Sequence, residues 1–229
     1  MENYVKRTVA VINLDHLSEN VESIRARITP GCKLMAVVKA NAYGHGDLAV
    51  SREIEEQVDW FGVASFDEAL RLRRARITKP VLIFGYTPPE WASQLSSHNI
   101  TQTLFSLEYA EALSAACAEQ GVRVEVHTKI DTGLNRIGFA ASGDLTAAAD
   151  EISRAAALPG LLVTGTYTQF AAGGSDTPAC NRFTQLQFDR FRGIIKLLEG
   201  RGVPVGLRHC CISSSLIRFP AYHLDMVRA

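Results

Sequence analysis

Three observations predict a parallel (β/α)8 barrel of the TIM type. Eight short apolar runs recur between residues 33 and 228, bounded by turn residues. Segments with helical apolar spacing lie between them, and this alternation implies parallel strands joined by right-handed crossovers. The length, 229 residues, suits eight such units. A doubly wound open sheet is the structural rival, but no GxGxxG follows any of the runs.

The strand-like runs are KLMAVVK (33–39), DWFGVAS (59–65), PVLIFG (80–85), TQTLFS (101–106), VRVEVHTKID (122–131), LLVTGTYTQF (161–170), GLRHCCI (206–212) and HLDMVR (223–228). An earlier run, TVAVINLD (8–15), makes residues 1–14 a leading strand segment. Asp15 is placed to cap a helix over 16–28. Ser65 and Glu68 have capping-box spacing ahead of EALRLRRAR. Thr87 and Pro88 suit an N-cap and first helical position. Ser106 precedes a helix over 107–119, where Leu107, Ala110, Leu113 and Cys117 recur on one face. Thr177-Pro178 opens a long helix that Gly200 or Gly202 ends.

Composition excludes some partners. Lys plus Arg and Asp plus Glu both number 24, so no net field draws the chain to nucleic acid or an anionic membrane. The cluster RLRRAR (71–76) reads as a solvated helix face. The five cysteines are odd in number and lack CxxC spacing, so neither a metal site nor a disulfide framework is expected. The N-terminus lacks the apolar core of a signal peptide, and no apolar run approaches a membrane span, so the expected location is cytoplasmic.

Barrels of this type carry their chemistry at the C-terminal ends of the strands. That rule selects Lys39 on the first run, Asp131 and Arg136 on the fifth, Gln169 on the sixth, His209 and Ser213 on the seventh, and Arg228 on the eighth. Lys39 has two readings: a lysine snorkelling from a strand end, or a Schiff-base lysine for an aldehyde cofactor. The following ANAYGHG favours the second, because pliant backbone and the Tyr43 hydroxyl suit a phosphate. Arg136 reads as a donor to an anionic oxygen or as a surface arginine. Arg228 points at the same mouth, and it stays protonated. Ser213 starts a serine cluster that suits a phosphate-binding turn or an ordinary loop.

AVVKANAYGHG, FGYTPPE, KIDTGLNRIGF and HLDMVR together resemble the signature blocks of the alanine racemase family, in that family's order. The resemblance implies a barrel that binds pyridoxal 5'-phosphate (PLP), a small amino-acid substrate, interconversion of L- and D-alanine for cell-wall synthesis, and a homodimer. Serine racemases share these blocks. By the same resemblance Lys39 carries the cofactor and moves a proton on one face of the substrate. Tyr43 and Ser213 contact the phosphate. Arg136 lies near the phenolic oxygen and the substrate carboxylate. Arg228 faces the pyridine nitrogen with His209 behind it, and Lys129 is a carbamylation site. Two positions depart from the family: Gln169 stands where a ring-stacking histidine is usual, and Ile212 where asparagine is usual. The family's second proton donor is a tyrosine from a β-rich C-terminal domain of the partner subunit. The resemblance runs to Arg228-Ala229, so the expectation is a barrel with that domain absent. A non-catalytic PLP-binding barrel and an inactive fragment are the alternatives.

Overall fold

Each of the eight runs forms a strand in the computed structural model, which describes residues 8–229. The barrel strands are Lys33–Val37, Trp60–Val63, Val81–Ile83, Ile100–Leu104, Val124–Asp131, Leu161–Tyr167, Leu207–His209 and Met226–Arg228. All are parallel, and each pairs with its neighbour in sequence. The eighth returns to the first, with Lys33 opposite Met226 and Met35 opposite Arg228, so the sheet closes. An open sheet would leave two edges; this one has none.

The alternation of side chains builds two cores. Met35, Trp60, Leu82, Tyr167 and Met226 form one cluster inside the barrel. Leu34, Phe61, Val81, Ile83, Val126 and Val227 face outward into the layer beneath the helices. One interior position is tight. A Cβ at Gly165 would lie 2.5 Å from the His127 ring, so the glycine makes room for an imidazole inside the barrel. A register shift between Val126 and His127 accompanies it.

Most helix signals hold. Ser106 caps Leu107–Gln120 by accepting from the Tyr109 N–H, and Thr177 caps Pro178–Gly200 by accepting from the Cys180 N–H. Three differ. The first helix is Leu14–Arg25, capped by Asn13 rather than Asp15, because Asn13 Oδ1 reaches the His16 N–H at 3.1 Å. Thr87 donates instead to Gln102 Oε1, so a 3-10 turn, Pro89–Trp91, precedes the helix Ala92–Ser97. Ser65 caps Phe66–Arg74, but Glu68 does not complete the box.

The leading strand expected over residues 1–14 is corrected where it is described. Residues 8–13 form no strand, Leu14 begins a helix, and Val9 and Val11 are 64% and 88% exposed. A closed barrel offers this segment no free edge to pair with. Residues 1–7 of that expectation lie outside the described residues. Among the described residues no helix is long and apolar enough to cross a membrane.

Candidate active site at the barrel mouth

A cavity of about 330 Å³ opens at the C-terminal ends of the strands. Lys39, Tyr43, Lys129, Arg136, Gln169, Ser213 and Arg228 all line it. Of the residues selected from sequence, Asp131 and His209 stand back from the cavity wall. The volume lies in the range that holds a small cofactor.

Lys39 leaves the first strand through a backbone that the sequence did not disclose. Ala40, Asn41, Ala42 and Tyr43 all have left-handed φ values, from 51° to 57°. L-residues pay roughly 1–2 kcal/mol each for this conformation, so the surroundings must hold it. The Asn41 carbonyl accepts from the Gly44 and Gly46 N–H groups, and its Oδ1 accepts from the Asp47 N–H at 3.0 Å. The turn brings Lys39 Nζ to 5.9 Å from the centre of the Tyr43 ring, at the exposed rim.

The loop after the fifth strand is wound around one carboxylate. Asp131 accepts from the N–H groups of Gly133, Leu134, Asn135 and Arg136. A two-residue strand, Phe139–Ala140, then pins the loop back onto Ile130–Asp131. This geometry presents the Arg136 guanidinium, which donates to Gln169 Oε1 at 2.7 Å. It also engages the carboxylate with four backbone donors, and among the described residues Asp131 forms no ion pair with a neighbouring cation.

Lys129 shows the consequence. It is 2% exposed, and among the described residues its Nζ has no hydrogen-bond partner. Burial, with the Arg136 charge beside it, lowers its pKa to about 8. The ammonium lies 5.8 Å from the centre of the Tyr167 ring.

Arg228 is fixed from behind. Its Nη1 donates to His209 Nδ1 at 2.7 Å, and its Nη2 to the carbonyls of Thr168 and Cys210 at 2.8 and 3.2 Å. Arginine has only donors, so His209 accepts at Nδ1 and carries its proton on Nε2. That proton faces His127 Nδ1 at 3.1 Å, which leaves His127 protonated on Nε2 with no acceptor among the described residues. Burial and the Arg228 charge hold both imidazoles neutral; the pKa of His127 falls to about 3. Tyr167 stacks on His209 at 4.8 Å and forms the cavity floor. Burial raises its pKa to about 12. His127 was missed in the sequence. The signal was present: strict alternation in VRVEVHTKID puts His127 on the face of Lys129 and Asp131.

Ser213 begins the short helix Ser213–Arg218. Ile212, beside it, lines the cavity, and its N–H donates to Ser215 Oγ at 2.8 Å. The mouth thus gathers Lys39, Lys129, Arg136 and Arg228 around a space whose nearby carboxylate is already occupied. Such a site favours a small ligand carrying several negative charges.

Comparison with known proteins agrees with this geometry. Residues 12–229 match the family model for the N-terminal domain of alanine racemase. Alanine racemase 1 of Caldanaerobacter subterraneus subsp. tengcongensis is 39% identical over 225 residues, covering 98% of this chain and 56% of the relative. Alanine racemase of Desulfovibrio desulfuricans is 40% identical over 230 residues, covering 100% of this chain and 60% of the relative. The solved alanine racemase of Clostridium difficile 630 in complex with cycloserine superposes with a TM-score of 0.88 at 32% identity, over 97% of this chain and 61% of that one. The chain therefore spans a little over half the length of the curated relatives it matches.

Proposed function

The chain belongs to the alanine racemase family, and on that premise we propose that it is the cofactor-bearing barrel of a PLP-dependent amino-acid racemase with alanine as its first substrate. The observation that carries this reading is the placement of Lys39 on one cavity with Lys129, Arg136 and Arg228. The residues present fit the cofactor. Two guanidiniums on one cavity call for anionic oxygens and the Lys39 amine for an electrophilic carbon, and a phosphorylated phenolic ring aldehyde brings both. Family members use PLP; its attachment to this chain is part of the proposal, as are the homodimer and a cytoplasmic location.

When bound, PLP supplies an aldehyde for a lysine amine and an electron-withdrawing ring that acidifies the α-carbon of an attached amino acid. Lys39 would hold the cofactor through Nζ, and its amine would hold or move the α-proton on one face of the substrate. Tyr43 and Ser213 bind the phosphate. Arg136 receives the substrate carboxylate, with Gln169 fixing its guanidinium. Arg228 would hold the ring nitrogen with its remaining N–H groups. A permanent charge there opposes protonation of that nitrogen and so limits electron withdrawal to what racemisation needs. Racemisation also requires a second proton-handling group on the opposite face, which we assign to the family's β-rich domain in a homodimer.

The direct test follows D-alanine formed from L-alanine by the full natural protein with PLP. Turnover supports the racemase reading. PLP uptake without turnover of any amino acid reduces the chain to a binding module, and absence of uptake overturns both readings.

Lys129 enters this reading as a carbamylation site. A buried amine with a pKa of about 8 has a reactive neutral fraction near neutral pH. Its carbamate is an anion that Arg136 and Arg228 can stabilise. As a free amine, its folded pKa lies below the usual 10.5. The unfolded chain then binds the extra proton, so stability rises as pH climbs from about 8 to 10.5, by up to roughly 3 kcal/mol. Melting temperature without bicarbonate should follow that rise, and adding bicarbonate at pH 8 should raise it. Lys129→Met should remove both effects. A bicarbonate-independent melting temperature contradicts the assignment.

A further inference from the structure

We propose that Glu68 is a positioning residue for Lys39: its carboxylate holds the backbone that aims the Lys39 side chain into the cavity. The proposal rests on the reading of Lys39 as the cofactor lysine.

Glu68 lies in the first turn of the helix Phe66–Arg74, which follows the second strand. A capping box would send its carboxylate back to the Ser65 N–H. Instead Oε1 accepts from the Ala40 N–H at 2.8 Å, and Oε2 from the Ala64 N–H at 2.7 Å. Both bonds are short and charge-assisted. Ala40 immediately follows Lys39, and Ala64 is the first residue past the second strand and lines the same cavity. One carboxylate therefore ties together the ends of two strands where Lys39 leaves the barrel.

The tie acts on a conformation that needs holding. The left-handed turn begins at Ala40, and two of its four residues are alanines, which have no polar side chain to favour it. The Ala40 N–H belongs to the peptide plane that joins it to Lys39. Fixing that N–H restricts ψ of Lys39 and hence the direction of its side chain. The same helix grips the far end of the turn. Arg71 Nη2 donates to Asp47 Oδ1 at 2.8 Å, and the Asp47 N–H donates to Asn41 Oδ1 at 3.0 Å. Of these contacts, the Glu68 bond is the one next to the reacting lysine.

The test compares wild type, Glu68→Ala, Glu68→Gln and Ser65→Ala as full chains freed of cofactor. Ser65 caps the same helix without touching Ala40, so Ser65→Ala lowers helix stability and leaves the tie intact. PLP is added in large excess, so that exposed lysines also react, samples are reduced with borohydride over time, and the modified lysines are identified by peptide mass spectrometry. Exposed Lys196 is the internal reference. Hydrogen exchange at the Ala40 amide is read in parallel. Glu68→Ala should slow Lys39 modification relative to Lys196 roughly 10- to 100-fold, as expected for loss of a hydrogen bond to a charged group. It should also deprotect the Ala40 amide. Glu68→Gln, which keeps one acceptor oxygen, should fall between, and it carries the comparison if the alanine variant does not fold. Ser65→Ala should modify Lys39 at the wild-type ratio despite a lower melting temperature. A wild-type ratio in both Glu68 variants, or equal slowing in Ser65→Ala, overturns the proposal. A wild-type protein unmodified at Lys39 while Lys196 reacts overturns the cofactor reading itself, and this inference with it.

Discussion

Lys39→Ala is expected to abolish covalent capture of PLP and to lower racemisation by at least ~10²–10⁴-fold, the usual contribution of a positioned acid–base group. Its effect on stability should be small. Lys39 is half-buried at a cavity wall and spans no packed core. Substitutions at such positions change stability by less than about 0.5 kcal/mol. The variant should therefore melt like the wild type while failing to retain the cofactor through dialysis. Loss of both stability and attachment would point to a structural lysine. Full activity would remove Lys39 from the chemistry.

Arg228→Met is expected to do the opposite in part, costing stability as well as function. The arginine is 3% exposed and satisfies His209 Nδ1 and the carbonyls of Thr168 and Cys210. Methionine fills much of the space but leaves these acceptors unpaired, at about 1–3 kcal/mol each, partly offset by relief from burying a charge. A net loss of roughly 3 kcal/mol corresponds to a fall in melting temperature of about 6–12 °C for a chain of this size. Arg228→Lys keeps the charge but not the fork, so it should recover only part of that loss. Arg228→Met frees the ring nitrogen of bound PLP to take a proton while Arg228→Lys keeps a charge opposed to it, a difference that the pH dependence of the cofactor's absorbance reads separately from unfolding. An unchanged melting temperature and an unchanged absorbance profile would contradict the role given to Arg228.

The fold was legible because its strongest signal is local. Each barrel strand is a short apolar run, and the runs are evenly interleaved with helices whose starts carry Ser106 or Thr177 as caps. The leading run failed for a reason that spacing does not carry. TVAVINLD has strand composition, but a strand also needs an edge, and the closed barrel supplies none. Asp15 lost the cap to Asn13 because both residue types suit the position and only backbone geometry separates them.

Most of the candidate site was legible too, because barrel topology converts strand ends into neighbours in space. Lys39, Lys129, Arg136 and Arg228 are far apart in sequence and share one cavity. What stayed hidden depends on directions rather than identities. Nothing in ANAYG announces four left-handed residues, since only Asn41 among them favours that region. Glu68 fits a local capping box in sequence, and in the structure it takes Ala64, four residues back, and Ala40, 28 residues back, instead of the Ser65 N–H. His127 could have been read from alternation, but its partner His209 lies 82 residues away, and only closure of the barrel brings the two rings together.

The central claim is that Lys39 is the group that receives PLP. The most direct measurement reduces the protein–PLP mixture with borohydride and maps every modified lysine. The account predicts a phosphopyridoxyl group on Lys39 alone at one equivalent of PLP, while exposed Lys33 and Lys196 stay free. A label shared among surface lysines, or placed on Lys129 in preference to Lys39, would contradict it.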